Sequence, residues 1–135
     1  MKISIIGAGS MFTRHLTVDI LTIEGLDQGV LALVDIDPKR LELAKKLVEM
    51  IIAKTGKNWQ VIASTDRREV LADSDFVINQ IEVSGLETVR LDYEIPLKYG
   101  VKQCIGDTLG PGGLFKTLRT LPPWMEIVRD IEELA

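Results

Sequence analysis

The stretch KISIIGAGSMF, Lys2 to Phe12, decides the fold of this chain. Lys2 to Ile6 is short, β-branched and stopped by glycine, which reads as a buried strand. Phe12, Leu16, Ile20 and Ile23 then recur at three-to-four spacing, which reads as a helix ended by Gly25. Between them, Gly7 and Gly9 let the backbone turn tightly and approach a ligand closely. A helix that starts at such a turn offers unpaired N–H groups and a partial positive charge to an anion. Gly7, Ala8, Gly9, Ser10 and Met11 are therefore read as the pyrophosphate turn of a dinucleotide site. Phe12 replaces the third glycine of the usual fingerprint.

Working outward, Val30 to Val34 reads as a second apolar strand that delivers Asp35 and its neighbour Ile36 to the same end of a sheet. A carboxylate there accepts hydrogen bonds from both hydroxyls of a ribose and repels a 2′-phosphate, which favours NAD over NADP. Asp37, just before Pro38, reads as the N-cap of the next helix. The alternative is a plain strand–helix turn in which Asp35 only neighbours that cap. Leu41, Ala44, Leu47, Val48 and Ile51 give the second helix its stripe, broken at Gly56 and Lys57. A third strand follows at Gln60 to Ala63, a short helix at Arg67 to Leu71, and a fourth strand at Phe76 to Ile81. This alternation predicts an α/β, Rossmann-like, doubly wound parallel sheet in three α/β/α layers with strand order 3-2-1-4. Beyond Ile81 the pattern changes. Glu87 to Tyr99 reads as a helix bent or interrupted by Pro96. A last helical region from Gly113 is split by Pro122 and Pro123. Its second part carries a stripe of Trp124, Ile127, Val128, Ile131 and Leu134.

A length of 135 residues suits one domain, and 46% apolar residues suffice for a core. A net charge of −4 without a basic run argues against a nucleic-acid partner. The N-terminal apolar run is too short for a signal peptide or a membrane span. A lone Cys104 excludes an internal disulfide and suits a reducing cytoplasm. One Cys104 and one His15 exclude a zinc finger made by this chain alone.

Phe76 to Gly100 (FVINQIEVSGLETVRLDYEIPLKYG) and Ile105 to Pro122 (IGDTLGPGGLFKTLRTLP), with GAGS and VDIDPKRL, resemble the N-terminal part of glycoside hydrolase family 4. The resemblance covers essentially the whole chain. It implies a first domain like that of lactate and malate dehydrogenases, and a glycosidase that needs NAD and a divalent metal, commonly manganese. The implied reaction removes hydride from sugar C3. A base then takes the acidified C2 proton, the aglycone leaves C1, water adds and the hydride returns. Gly7, Gly9 and Ser10 match the pyrophosphate turn and Asp35 the ribose acid. Asn79, with Gln80 beside it, matches the cofactor-side end of strand four. Asp107 matches an acid that tunes the base tyrosine, and Gly112 and Gly113 would line the sugar pocket. The plain alternative for Asp107 is a capping aspartate.

Two departures from the family pattern are informative. Phospho-sugar members carry an arginine six residues before the Ile-Pro of IPLKYG, where this chain has Val89, with Arg90 adjacent. The substrate implied is thus an unphosphorylated α-glycoside of the galactoside, glucoside or galacturonide type; a 6-phospho-β-glucosidase is the alternative. The family's metal-binding cysteine and histidine and its base tyrosine have no match here. The 135 residues are therefore expected to be an N-terminal NAD-binding piece without metal ligands and without activity alone. Cys104 and His15 read as packing or surface residues, Lys98 and Tyr99 as a helix end, and Lys116 and Arg119 as a solvated helix face, the alternative being a grip on an anionic cofactor or sugar. The uncovered edge of strand four predicts homo-oligomerisation. A non-catalytic NAD-sensing module is a further alternative. A 2-hydroxy-acid dehydrogenase piece lacks the expected later histidine.

Overall fold

A computed structural model describes residues 1–103 and 109–135. The elements in order are β1 (Lys2–Ile6), α1 (Phe12–Thr22), β2 (Gln28–Val34), α2 (Pro38–Thr55), β3 (Asn58–Ser64), α3 (Arg68–Leu71), β4 (Phe76–Asn79), α4 (Gly85–Lys98) and α5 (Pro111–Leu134). Two compact units form, Met1–Ile81 with Asp130–Ala135, and Glu82–Arg129.

The first unit holds a parallel sheet in the expected order, β3-β2-β1-β4. Right-handed crossovers place α1 and α2 on one face and α3 on the other. The two central strands are therefore covered on both sides, and Ile5, Leu31 and Leu33 are fully buried. Ser4 is buried among them, its hydroxyl satisfied by Ser74 at 2.7 Å. β2 and β3 run longer than their apolar cores suggest, because Gln28 pairs with Asn58 and Val34 with Ser64. The ladder partner, not local hydrophobicity, sets those ends. β4 stops at Asn79 instead of Ile81 for the same reason: its partner β1 ends at Ile6, where Gly7 turns away to Val34.

Helix α2 begins as expected. Asp37 Oδ1 accepts from the N–H groups of Lys39 at 2.9 Å and Arg40 at 3.2 Å, and Pro38 occupies the first turn. Gly56 ends it at φ 68°, a left-handed cap suited to glycine. Its buried stripe is Leu41, Ala44, Val48 and Ile52; Leu47 is exposed. Helix α1 differs from expectation. Its buried face is Thr13, Thr17, Ile20 and Leu21, while Phe12 and Ile23 are exposed. The two threonines are tolerated inside because their hydroxyls donate at once to the backbone, Thr13 to Ala8 O and Thr17 to Thr13 O.

In the second unit, α4 runs through Pro96 because that residue lies in its last turn, just before the Gly100 turn at φ 78°. Helix α5 is likewise continuous through Pro122 and Pro123 instead of split. Adjacent prolines open a single gap in the hydrogen-bond ladder, and both flanks are fastened. Arg119 is held by Asp92 within the second unit, and Asp130 by Arg67 and Arg68 within the first.

The Asp130 cluster fixes the chain's end to the sheet unit. Arg67 Nε donates to Oδ2 at 2.5 Å, Arg68 Nη1 donates to Oδ1, and Arg68 Nη2 reaches Glu133 at 2.7 Å. Burial would raise the Asp130 carboxyl pKa, but the two guanidiniums outweigh it and hold the group below its ordinary value. A depressed carboxyl contributes stability that is present above the unfolded value and lost as pH falls through the folded one. Urea unfolding at pH 7 should therefore show Asp130→Asn less stable than the unsubstituted chain. The gap should narrow as pH falls below the ordinary carboxylate range toward the depressed folded value. A gap that persists unchanged there would assign the loss to packing instead of charge.

Candidate functional site

The carboxyl ends of β1, β2 and β4 meet at Gly7. This residue sits at φ 82°, in the left-handed region. Its N–H and that of Ala8 both donate to Val34 O, at 2.9 and 2.8 Å. A Cβ at Gly7 would lie 2.9 Å from the carbonyl oxygen of Gln80. Positive φ and close approach together admit only glycine. Ala8 is fully buried, its N–H taken by Val34 O and its carbonyl by the Thr13 hydroxyl.

Gly9 is constrained from the other side. Its N–H donates to Asp35 Oδ2 at 2.7 Å, and a Cβ there would meet the same carboxylate oxygen and Arg40 Cβ. The other Asp35 oxygen accepts from Asp37 N–H at 2.9 Å. Each carboxylate oxygen retains an acceptor site, so the acid is fixed by the fold and still open to hydroxyl donors. Asp37, in contrast, is committed to capping α2. The start of α1 lacks such a cap: Met11 supplies no side-chain bond, and Ser10 Oγ accepts only a 3.3 Å contact from Phe12 N–H. The positive end of α1 is thus free for an anion. Met11, at the start of α1, and Ile36, next to Asp35, are apolar residues left 85% and 92% exposed.

On β4, Asn79 Oδ1 accepts from Ile81 N–H at 3.4 Å, at the strand's end. Gln80 turns inward. Its Nε2 donates to Thr13 Oγ1 at 2.6 Å and to Gly7 O at 3.2 Å. Thr13 is the residue that sequence reasoning missed. The only available signal was Thr13 and Thr17 four apart on α1, which also reads as a polar face.

The expected cofactor residues Gly7, Ala8, Gly9, Ser10, Met11, Asp35, Ile36, Asn79 and Gln80 all belong to the first unit. Gly112 and Gly113 belong to the second, buried in the first turn of α5. There a Cβ on Gly112 would overlap Asp92 O and Gln103 Nε2, which gives this glycine a packing role. Arg119 does not lie on a solvated face as expected. It grips Asp92, itself 6% exposed, through Nη2 at 2.6 Å and Nη1 at 3.3 Å. The Asp92 bond raises the Arg119 pKa, against a smaller opposing effect of burial. Lys116 pairs with Glu82 at 3.0 Å. Arg90 is exposed on α4 beside Glu87 and Glu94. His15 lies at the surface beside Arg14. Asp107 and Cys104 lie outside the described residues. Among the described residues no group of three His, Cys, Asp or Glu side chains is placed to hold a metal, and no helix is long and apolar enough to cross a membrane.

Residues 2–135 match the sequence profile described as "Family 4 glycosyl hydrolase". The chain is 40% identical to an α-galactosidase of Rhizobium meliloti, covering 99% of this chain and 28% of that protein. It is 42% identical to a probable 6-phospho-β-glucosidase of Bacillus subtilis, covering 100% of this chain and 31% of that one. The fold is similar to that of a 6-phospho-β-glucosidase from Thermotoga maritima solved with manganese, NAD+ and glucose-6-phosphate. The TM-score is 0.89 at 29% identity, covering 99% of this chain and 32% of that one. The chain thus spans about a third of the length of these relatives.

The glycine turn permits a test that needs no ligand. Gly25 also has a positive φ, 79°, but a Cβ there meets nothing within 4 Å. Gly25→Ala should cost on the order of 1 kcal/mol, from backbone strain alone. Gly7→Ala should cost about 2 kcal/mol more, because the methyl must displace the Gln80 backbone. Equal losses in denaturant unfolding would show that the contact with β4 relaxes freely.

Proposed function

Because the chain belongs to family 4 of the glycosyl hydrolases, we propose that it is the NAD-binding part of a glycosidase whose remaining residues supply the base and the metal. The observation that carries this reading is the Gly9 N–H to Asp35 bond at 2.7 Å beside an uncapped α1. It joins an anion site to a ribose-type acceptor at the point where strand order reverses about β1. The fit to NAD is sound on this chain's own terms. Gly7, Gly9, Ser10 and Met11 bring the α1 N-terminus to the pyrophosphate. Asp35 accepts from the adenosine ribose hydroxyls and repels a 2′-phosphate. Ile36 covers the adenine side, and Asn79 stands toward the nicotinamide. When bound, NAD supplies a reversible hydride acceptor for the sugar.

Asp107 is proposed to tune the base of the complete enzyme, and Gly113 to line the sugar side; Gly112 is taken up in packing against Asp92 and Gln103. The manganese expected for the complete protein finds no donor set among the described residues, so no step derived from this chain runs through it. An unphosphorylated α-glycoside is the proposed substrate. Val89 stands where a phosphate-gripping arginine is expected, and Arg90 lies among the carboxylates of Glu87 and Glu94. A 6-phospho-β-glucoside is the second reading, favoured by the 42% identical relative. The complete protein is further proposed to act in the cytoplasm as a homo-oligomer.

Calorimetry with NAD and NADP tests the cofactor site. Asp35→Ala should weaken NAD at least about tenfold, the loss of charge-assisted hydrogen bonds, and narrow the preference over NADP. Unchanged affinities for both would remove Asp35 from the ribose. The 135 residues alone should hydrolyse neither α- nor β-nitrophenyl glycosides, even with manganese and reductant. A longer product of the same gene should cleave the α-glycosides, and only with NAD. Hydrolysis without NAD would overturn the reading.

A further inference from the structure

We infer that Gln80 is a positioning residue: with Thr13 it forms a buried bolt that holds the glycine turn in shape for a pyrophosphate, without itself touching the cofactor. The inference rests on the NAD reading above and adds a residue to it. Both donors of the Gln80 amide are already taken. Nε2 reaches Gly7 O at 3.2 Å and Thr13 Oγ1 at 2.6 Å, while the Thr13 hydroxyl donates onward to Ala8 O at 2.8 Å. The two carbonyls held in this way belong to the first two residues of the turn. Thr13 O in turn receives the Thr17 hydroxyl at 2.7 Å, which ties the bolt into α1. Gln80 is anchored as well, since its own N–H donates to Ile6 O at 2.9 Å. One side chain therefore connects the ends of β1 and β4 to the turn and to the first helical turn.

The amide orientation follows from the same contacts. Flipped, Oε1 would face Gly7 O, acceptor against acceptor. In the observed orientation Oε1 is buried and finds no donor among the described residues. An unpaired buried acceptor is unfavourable, so the side chain is placed for its donors. Gly7 O also accepts from Ser10 N–H at 3.0 Å, so the bolt fixes the carbonyl on which the turn closes at the start of α1.

The test uses the isotope-labelled 135-residue chain and NMR titration with three probes: NAD, ADP-ribose and adenosine. Gln80→Met and Thr13→Val should each weaken NAD and ADP-ribose about tenfold, the scale of one lost buried hydrogen bond. Adenosine, which has no pyrophosphate and is held at Asp35, should keep its affinity. Thr13→Ser retains the hydroxyl and should bind all three like the unsubstituted chain. The double variant should lose no more than either single one, because each breaks the same bolt. Equal weakening of all three probes would mark a general loss of structure and overturn the positioning role, as would unaltered NAD binding by Gln80→Met. If the unsubstituted chain binds none of the probes, the cofactor reading fails and the positioning role fails with it.

Discussion

The approach of Gly7 to the backbone of Gln80 is the constraint on which the rest of the sheet unit depends. At φ 82° the chain leaves β1 and crosses toward β2, where Val34 O receives two successive N–H groups. That crossing ends β1 at Ile6, and the end of β1 ends β4 at Asn79. The direction of α1 follows from it too, because Thr13 is bonded to the turn it has just left. A side chain at Gly7 would press on the Gln80 backbone just where β1 and β4 end. The local geometry of a single residue thus sets two strand ends and one helix axis.

Burial explains why such a tight turn is sustained. Most of β1 and the second half of β2 are buried on both faces, and hydrophobic burial there of about 25 cal/mol per Å² of apolar surface far exceeds the strain of one turn. The edge strands are different. β3 alternates between exposed and covered positions, and on β4 Phe76 is 58% exposed. The rigid part of the sheet is therefore its centre, where the turn emerges. Both outer strands are less covered, and β4 carries the Asn79 end of the site.

How much of this was legible in the sequence depended on whether a residue's role was local. Strand order, the Asp37 cap, the Gly56 stop and the glycine turn all follow from short-range rules, and the structure bears them out. The outcome differed wherever a distant partner decided. Thr13 and Thr17 look like an outward polar face until Ala8 O and Gln80 are in place to satisfy them. Pro122 and Pro123 read as a break, because nothing nearby in sequence announces that Asp92 and the Arg67–Arg68 pair fasten the flanks of α5. Arg119 reads as a solvated cation for the same reason, since its partner Asp92 lies on another helix. The β2 and β3 ends are ladder effects, visible only once the two strands are aligned.

Asp35 shows what a structure adds to a residue that the sequence already singles out. As a strand-end acid near Asp37-Pro38 it reads as a ligand for ribose with the cap given to Asp37, a mere neighbour of that cap being the alternative. The geometry makes the division. Asp37 spends its carboxylate on α2, while Asp35 takes one backbone N–H on each oxygen and retains one acceptor site on each. Those two bonds fix the carboxylate before any ligand arrives, which lowers the ordering cost of binding. They also make Gly9 and Asp35 mutually dependent, because the bond that holds the acid brings its oxygen to where a Cβ of residue 9 would stand. The same carboxylate is thus a structural brace for the turn and an acceptor presented to solvent. Its place at the end of β2 points to the acceptor role, and the bonds to Gly9 and Asp37 N–H add the bracing one.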